Sequence, residues 1–272
     1  MLLKFRTFVV FVAAVILAFG SGASLHSSTV GAQELSGREI MDRTRSLDLV
    51  QDMSMDLEMT ITNHRGQQRV RALTMSSLRM EDGTEYSLIR FTAPADVRGT
   101  GFLSIQDPGG NDENWIYLPA LGRERRMASD ERGGSFMGSD FTVEDISLNL
   151  DDYVFHLEGT ETLSGVEVYV VSGVPATKQM VKDLGVSKRV YYVCPERFIA
   201  LQTETFDEAG TLIRVMTTND FIEVIDDLWI PKLSEMRNLE SNSSTQLAYD
   251  NIAVNPGLTA DDFSRRQLSR VR

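Results

Sequence analysis

Met53-Ser54-Met55-Asp56-Leu57-Glu58-Met59-Thr60-Ile61-Thr62 alternates apolar and polar residues without a break. Successive side chains of a β-strand point to opposite faces, so this run predicts a half-buried strand with Met53, Met55, Leu57, Met59 and Ile61 on its covered side. It stops at Asn63-His64-Arg65-Gly66, a turn sequence, and residues 70–80 read as the returning partner. Asp82-Gly83 then turns the chain into a third strand at 86–91.

The same reading extends in both directions. Upstream, Ser36 with Glu39 three residues later spells a capping box, and Ile40, Met41 and Leu47 give 36–47 one apolar helical face. Downstream, short strands are predicted at 101–106, 114–118 and 123–127, separated by turn residues at 107–111 and 119–122. An irregular stretch, 128–150, is followed by candidates at 153–158, 166–171, 190–194, 200–206, 212–219, 229–238 and 244–254. Asp207-Glu208-Ala209-Gly210 is a hairpin turn between two of them. About a dozen strands with few helices predict a mainly β fold: one large twisted antiparallel sheet or an open barrel.

The covered face of the first strand carries three methionines, and Met75, Met80, Met127, Met137 and Met180 add to them. Methionine fills irregular space and adapts to variable apolar partners. Two readings stand side by side, a filled core and a deformable apolar cavity inside a curved sheet.

The first 32 residues read as a cleaved secretory signal peptide: Lys4 and Arg6, an apolar run from Phe8 to Phe19, and small residues up to Ala32. The run has 12 residues, short of the roughly 20 that a membrane-crossing helix needs. Residues 33–272 are expected to form a single domain. Its formal charge moves from −12 for the whole chain to −14 once Lys4 and Arg6 are gone, which argues against nucleic acid as a partner. Cys194 is the one cysteine and has no internal partner to bridge to, so it reads as a packed strand residue.

Signs of catalysis are few. Outside the leader the histidines are His64, in a turn, and His156, on the outward side of a strand, so no zinc set forms. Gly133-Gly134-Ser135-Phe136-Met137 lacks the second glycine of a nucleophile elbow. Asp140, Glu144, Asp145, Asp151 and Asp152 match no calcium loop and read as solvated surface. No metal, cofactor or catalysed reaction is expected. Arg123, Arg125 and Arg126 form a basic cluster on an acidic chain, read either as paired with nearby acids or as a docking surface for an anionic head group or acidic partner.

One set of motifs is more specific. Phe91, Pro94, Asp96 and Gly99 lead into Gly101-Phe102-Leu103; then come Trp115, Tyr117, Leu118 and Pro119, then Arg125-Arg126. Ser135-Phe136-Met137-Gly138-Ser139-Asp140-Phe141 follows with Glu144 and Asp145, and Trp229-Ile230-Pro231 and Asp262-Phe263 close the pattern. This resembles the bacterial outer-membrane lipoprotein-sorting, or LolA-like, family, in its mostly uncharacterised branch.

The resemblance implies a half-open antiparallel β-barrel with helices plugging its concave face over a hydrophobic cavity. It implies a periplasmic carrier of lipid or lipoprotein acyl chains, or alternatively an accessory or sensor module for an inner-membrane transporter of the resistance-nodulation-division class or an envelope signalling protein. Candidate cavity and lid residues are Met53, Met55, Leu57, Met59, Trp115, Tyr117, Phe136, Met137 and Phe141. Residues 135–145, with Gly133, Gly134 and Gly138 nearby, read as a lid or as a fixed plug. Carriers of this fold latch the lid with an arginine inside the barrel, for which Arg71 and Arg90 are the candidates.

Overall fold

In the computed structural model, which describes residues 35–45, 50–225 and 228–270, the alternation of 53–62 becomes strand β1, Asp52–Thr62. It pairs antiparallel with β2, Gln68–Arg79, placing Met55 opposite Met75 and Leu57 opposite Leu73. The sheet grows one strand at a time through β3 (Glu85–Ala93), β4 (Gly101–Gln106), β5 (Glu113–Leu118) and the edge strand β6 (Arg123–Arg126). The chain then crosses to the far edge of the same sheet. There it builds back through β7 (Tyr153–Leu163), β8 (Val166–Pro175), β9 (Lys188–Val193), β10 (Ala200–Phe206), β11 (Leu212–Ile225), β12 (Leu228–Asn238) and β13 (Ser243–Val254). β13 pairs with β1 and completes a thirteen-stranded antiparallel sheet among the described residues. β6 and β7 are not joined, so the barrel is half open.

Two non-strand segments cover the two faces. Residues 127–152, which connect the opposite edges, lie on the inner face and carry α2, Val143–Ile146. Phe136, Phe141 and Val143 from this crossing segment pack against Met53, Met55, Leu57 and Met59 of β1, Phe91 of β3, Phe102 of β4 and Met236 of β12. A second inner cluster lies toward the other edge, where α1 (Gly37–Arg43) sets Ile40 and Met41 against Tyr153, Phe155, Val171 and Tyr191. α1 carries the Ser36/Glu39 capping box and rests so close to β7 that a Cβ on Gly37 would fall 2.6 Å from the backbone of His156. It ends at Arg43, earlier than the 36–47 reading; Ser46 and Leu47 lie outside the described residues.

The outer face is covered near β2 to β5 by the C-terminal segment with α4, Arg265–Leu268, whose Leu268 joins Phe263, Leu78, Leu88 and Leu103 in a third cluster. A further helix, α3 (Lys178–Leu184), is absent from the sequence reading although Thr177 caps its start and Gly185, at φ 65°, ends it. The leader falls outside the described residues. Among those residues no helix is long and apolar enough to cross a membrane.

Candidate functional site: the inner face and its crossing segment

β1 aligns Met53, Met55, Leu57 and Met59 along the inner face, and Phe136 and Phe141 lie in the same cluster, 2% and 3% exposed. The Phe136 ring meets Phe102 edge-on at 5.5 Å and Phe91 at 5.9 Å. Met137 packs against this cluster with φ 54°, a left-handed backbone in which its carbonyl faces the sheet. Six of the nine residues read as cavity or lid, together with Met137, are thus brought together.

Trp115 and Tyr117 are not part of this assembly. The register of β5 sets Trp115 opposite Leu103, so both rings lie on the outer face with Phe263 and Leu268, and Arg265 stacks 4.7 Å from the Trp115 ring. Both faces of the sheet are covered here, so an aromatic on β5 has apolar surroundings on either side. The inner position between them is Ile116, opposite Phe102.

Of the acidic residues read as solvated surface, Asp151 is exposed, Asp140 and Asp152 are half-buried and paired, and the side chains of Glu144 and Asp145 are instead buried and clasped. Asp145 sits between two sheet arginines, 2.8 Å from Arg189 of β9 and 2.6 Å from Arg214 of β11. Burial alone would raise its pKa. The two guanidiniums and the amide and hydroxyl of Thr142 outweigh that and hold it at about 2, below the ordinary 3.8. Arg214 also donates to the Asp140 carbonyl at 3.3 Å. The Asp140 carboxylate accepts from Ser243 and, at 2.7 Å, from Thr245 of β13.

Glu144, 1% exposed, is bound by Arg132 at 2.6 Å and by the Tyr153 hydroxyl at 2.8 Å. Burial pushes the Tyr153 phenol up, which keeps it a neutral donor. Arg71 of β2, on the inner face, donates to the Met137 carbonyl. Arg90, the other latch candidate, lies on the outer face and donates to the carbonyls of Gln267 and Arg270. The crossing segment is thus tied to β2, β9, β11 and β13 by polar contacts at discrete points, and it separates the two inner apolar clusters with a belt of charge.

The basic cluster lies along the β6 edge. Arg125 forms a two-pronged pair with Glu131, both contacts 2.8 Å, and Arg126 donates to the Asp112 carbonyl at 2.9 Å. Arg123 is exposed beside them. Charged edges of this kind block strand addition.

A family model described only as an uncharacterized protein matches residues 83–270. No functionally curated protein matches the sequence. Among solved structures the chain is similar to an outer-membrane lipoprotein-sorting protein domain from Vibrio parahaemolyticus, at 30% identity over 86% of this chain and 98% of that one, with a TM-score of 0.79. It is also similar to a DUF1329 family protein from Desulfovibrio piger, at 29% identity over 85% and 97% of the two chains and a TM-score of 0.77. A LolA superfamily protein from Nitrosomonas europaea shares the fold at 16% identity, a TM-score of 0.65, and coverage of 86% and 99%. An open antiparallel sheet with a segment crossing its inner face defines the class of half-open barrels. The chain belongs to the LolA-like outer-membrane lipoprotein-sorting family.

Proposed function

We propose that the chain is a periplasmic carrier of lipid or lipoprotein acyl chains, directed there by residues 1–32, which are then cleaved, and working as a single domain, 33–272. The observation that carries this reading is the inner face itself: a row of flexible methionines covered by two phenylalanines on a segment held at discrete polar points. Each acyl methylene removed from water gains about 0.8 kcal/mol, so a chain crossing an aqueous space needs such a cover. Methionine accommodates chains without one fixed pose, which permits release.

In this reading the crossing segment is the lid, Phe136 and Phe141 stand where cargo goes, and Arg71 is the latch. Lifting the lid exchanges a few defined contacts rather than unravelling a strand ladder. The likeness to the lipoprotein-sorting protein domain from Vibrio parahaemolyticus is in keeping with it. No catalysed step is needed.

Native mass spectrometry of residues 33–272, purified without detergent and followed by organic extraction, tests the proposal. A stoichiometric acyl-bearing species supports it and names the cargo class. A clean apo mass with no uptake of added oleic acid contradicts it and favours a module that docks on an inner-membrane transporter.

A further inference from the structure

Toward one end of the inner face the sheet changes character. Cross-strand register places Ser77 opposite Ser87, Ser87 opposite Ser104, and Ser104 opposite Asn114, a polar row across β2, β3, β4 and β5. Two residues along each strand, about 7 Å away on the same face, Met75, Ile89, Phe102 and Ile116 form an apolar row in the same register. Ser77 and Ser104 are 5% and 3% exposed, positions where a strand ordinarily packs valine or isoleucine. The Ser87 hydroxyl and the Asn114 side-chain oxygen are buried and have no partner among the described residues. Buried polar atoms left unsatisfied are costly and call for an explanation.

The space in front of this row is open. A cavity of about 180 Å³ between Met53, Met75, Ser77 and Ser87 shares Ser104, Gln106 and Ser147 with a second of about 500 Å³ that reaches Asn114. Gln106 donates to the carbonyls of Ser147 and Leu148, each at 3.1 Å, and so roofs the junction with the end of the crossing segment. The row itself bears no charge. Charged groups lining the two cavities are already engaged: Arg132 with Glu144 and Asp152, Asp112 with Asn149, Arg126 with the Asp112 carbonyl and Glu113, and Glu85 with Arg45 and Arg79.

We infer that the serine row is a head-group subsite for a lipid with a neutral, hydroxyl-bearing head, whose chain runs over Met75, Ile89 and Phe102. Hydroxyls of a glyceryl or glycosyl head satisfy the Ser87 and Asn114 oxygens, while a carboxylate or phosphate finds no free counter-charge in the row. This rests on the carrier reading above and adds the class of lipid.

The test is displacement of a polarity-sensitive fluorescent fatty acid from residues 33–272 by three ligands of equal chain length: 1-monooleoylglycerol, oleyl glucoside and methyl oleate. One or both hydroxyl-bearing ligands are expected to bind about tenfold tighter than methyl oleate, the gain of two modest hydrogen bonds; the tighter of the two identifies the head as glyceryl or glycosyl. Ser87→Ala combined with Asn114→Ala is expected to bring them level with methyl oleate, whose own affinity stays unchanged, and Ser104→Thr alone is expected to keep the preference. Equal binding of all three to the unaltered protein overturns the head-group subsite and leaves the carrier standing. Failure of the fluorescent fatty acid and of all three ligands to bind overturns both.

Discussion

The sheet has a cover on each face, and the two are held by different forces. On the outer face the C-terminal segment seats Phe263 and Leu268 among Leu78, Leu88 and Leu103, each 8% exposed or less, with the Tyr86 ring tilted against Phe263 at 5.6 Å. On the inner face the crossing segment also buries aromatics, but it is fixed by Asp140 and Asp145 to groups on β9, β11 and β13, and by Glu144 to Tyr153 at the start of β7. Apolar packing is continuous and weakens gradually as a surface is peeled away. A buried ion pair is kept or lost as a unit, and it helps stability little relative to an apolar pair while costing much when one partner is removed. On the proposed carrier reading the outer cover stays and the inner one has two states.

The largest expected effect comes from breaking the inner clasp on one side. Asp145→Ala leaves Arg189 and Arg214 buried without a counter-charge and should cost about 3–5 kcal/mol, measured by urea unfolding. Cutting the outer cover should cost somewhat less: Leu268→Ala removes a fully buried side chain, about 2–4 kcal/mol, and leaves acyl uptake unchanged because Leu268 lies on the face opposite Met53, Met55, Leu57 and Met59.

Acid separates the covers without mutation. The Asp145 carboxyl titrates at about 2 when folded against an ordinary 3.8, so its contribution is fully present above 3.8 and is lost as pH falls from there through 2. That shift is worth about 2 kcal/mol. Thermal melts between pH 5 and pH 2 should show this loss, and Asp145→Asn, already without the charge, should show a shallower one. Smallest is Arg125→Ala at the β6 edge, where an exposed pair with Glu131 contributes under about 1 kcal/mol; a melt shifted by much more would assign that edge a structural role it does not have here.

How much of this the sequence discloses depends on how local the cause is. The strands are legible because β1, β4 and β10 carry their alternation or turn signals within a few residues; β4 and β10 begin and end where the pattern puts them. The ends of β7, β8 and β11 run four to six residues beyond the predicted limits, because ladder pairing extends strands past the point where hydrophobic alternation fades. The inner aromatics Phe136 and Phe141 were legible through the family motif.

The clasp was not legible. The partners of Asp140 and Asp145 come from β9, β11 and β13, far along the chain, and in an acidic protein Asp140, Glu144 and Asp145 look like ordinary surface charge. The one local trace was the Thr142/Asp145 capping box that starts α2. Trp115 and Tyr117 misled for a related reason: period-two alternation says which residues share a face and leaves open which face is inner. The serine row is visible only in the register.

The central claim is that the crossing segment is the removable cover and the C-terminal segment is not. Hydrogen exchange of residues 33–272, read by mass spectrometry with and without oleic acid at a concentration that displaces the fluorescent fatty acid, tests it directly. The expected result is that amides of 136–145 lose protection on loading while those of 260–268 keep theirs. Loading that leaves 136–145 fully protected, or that loosens 260–268 instead, would contradict it.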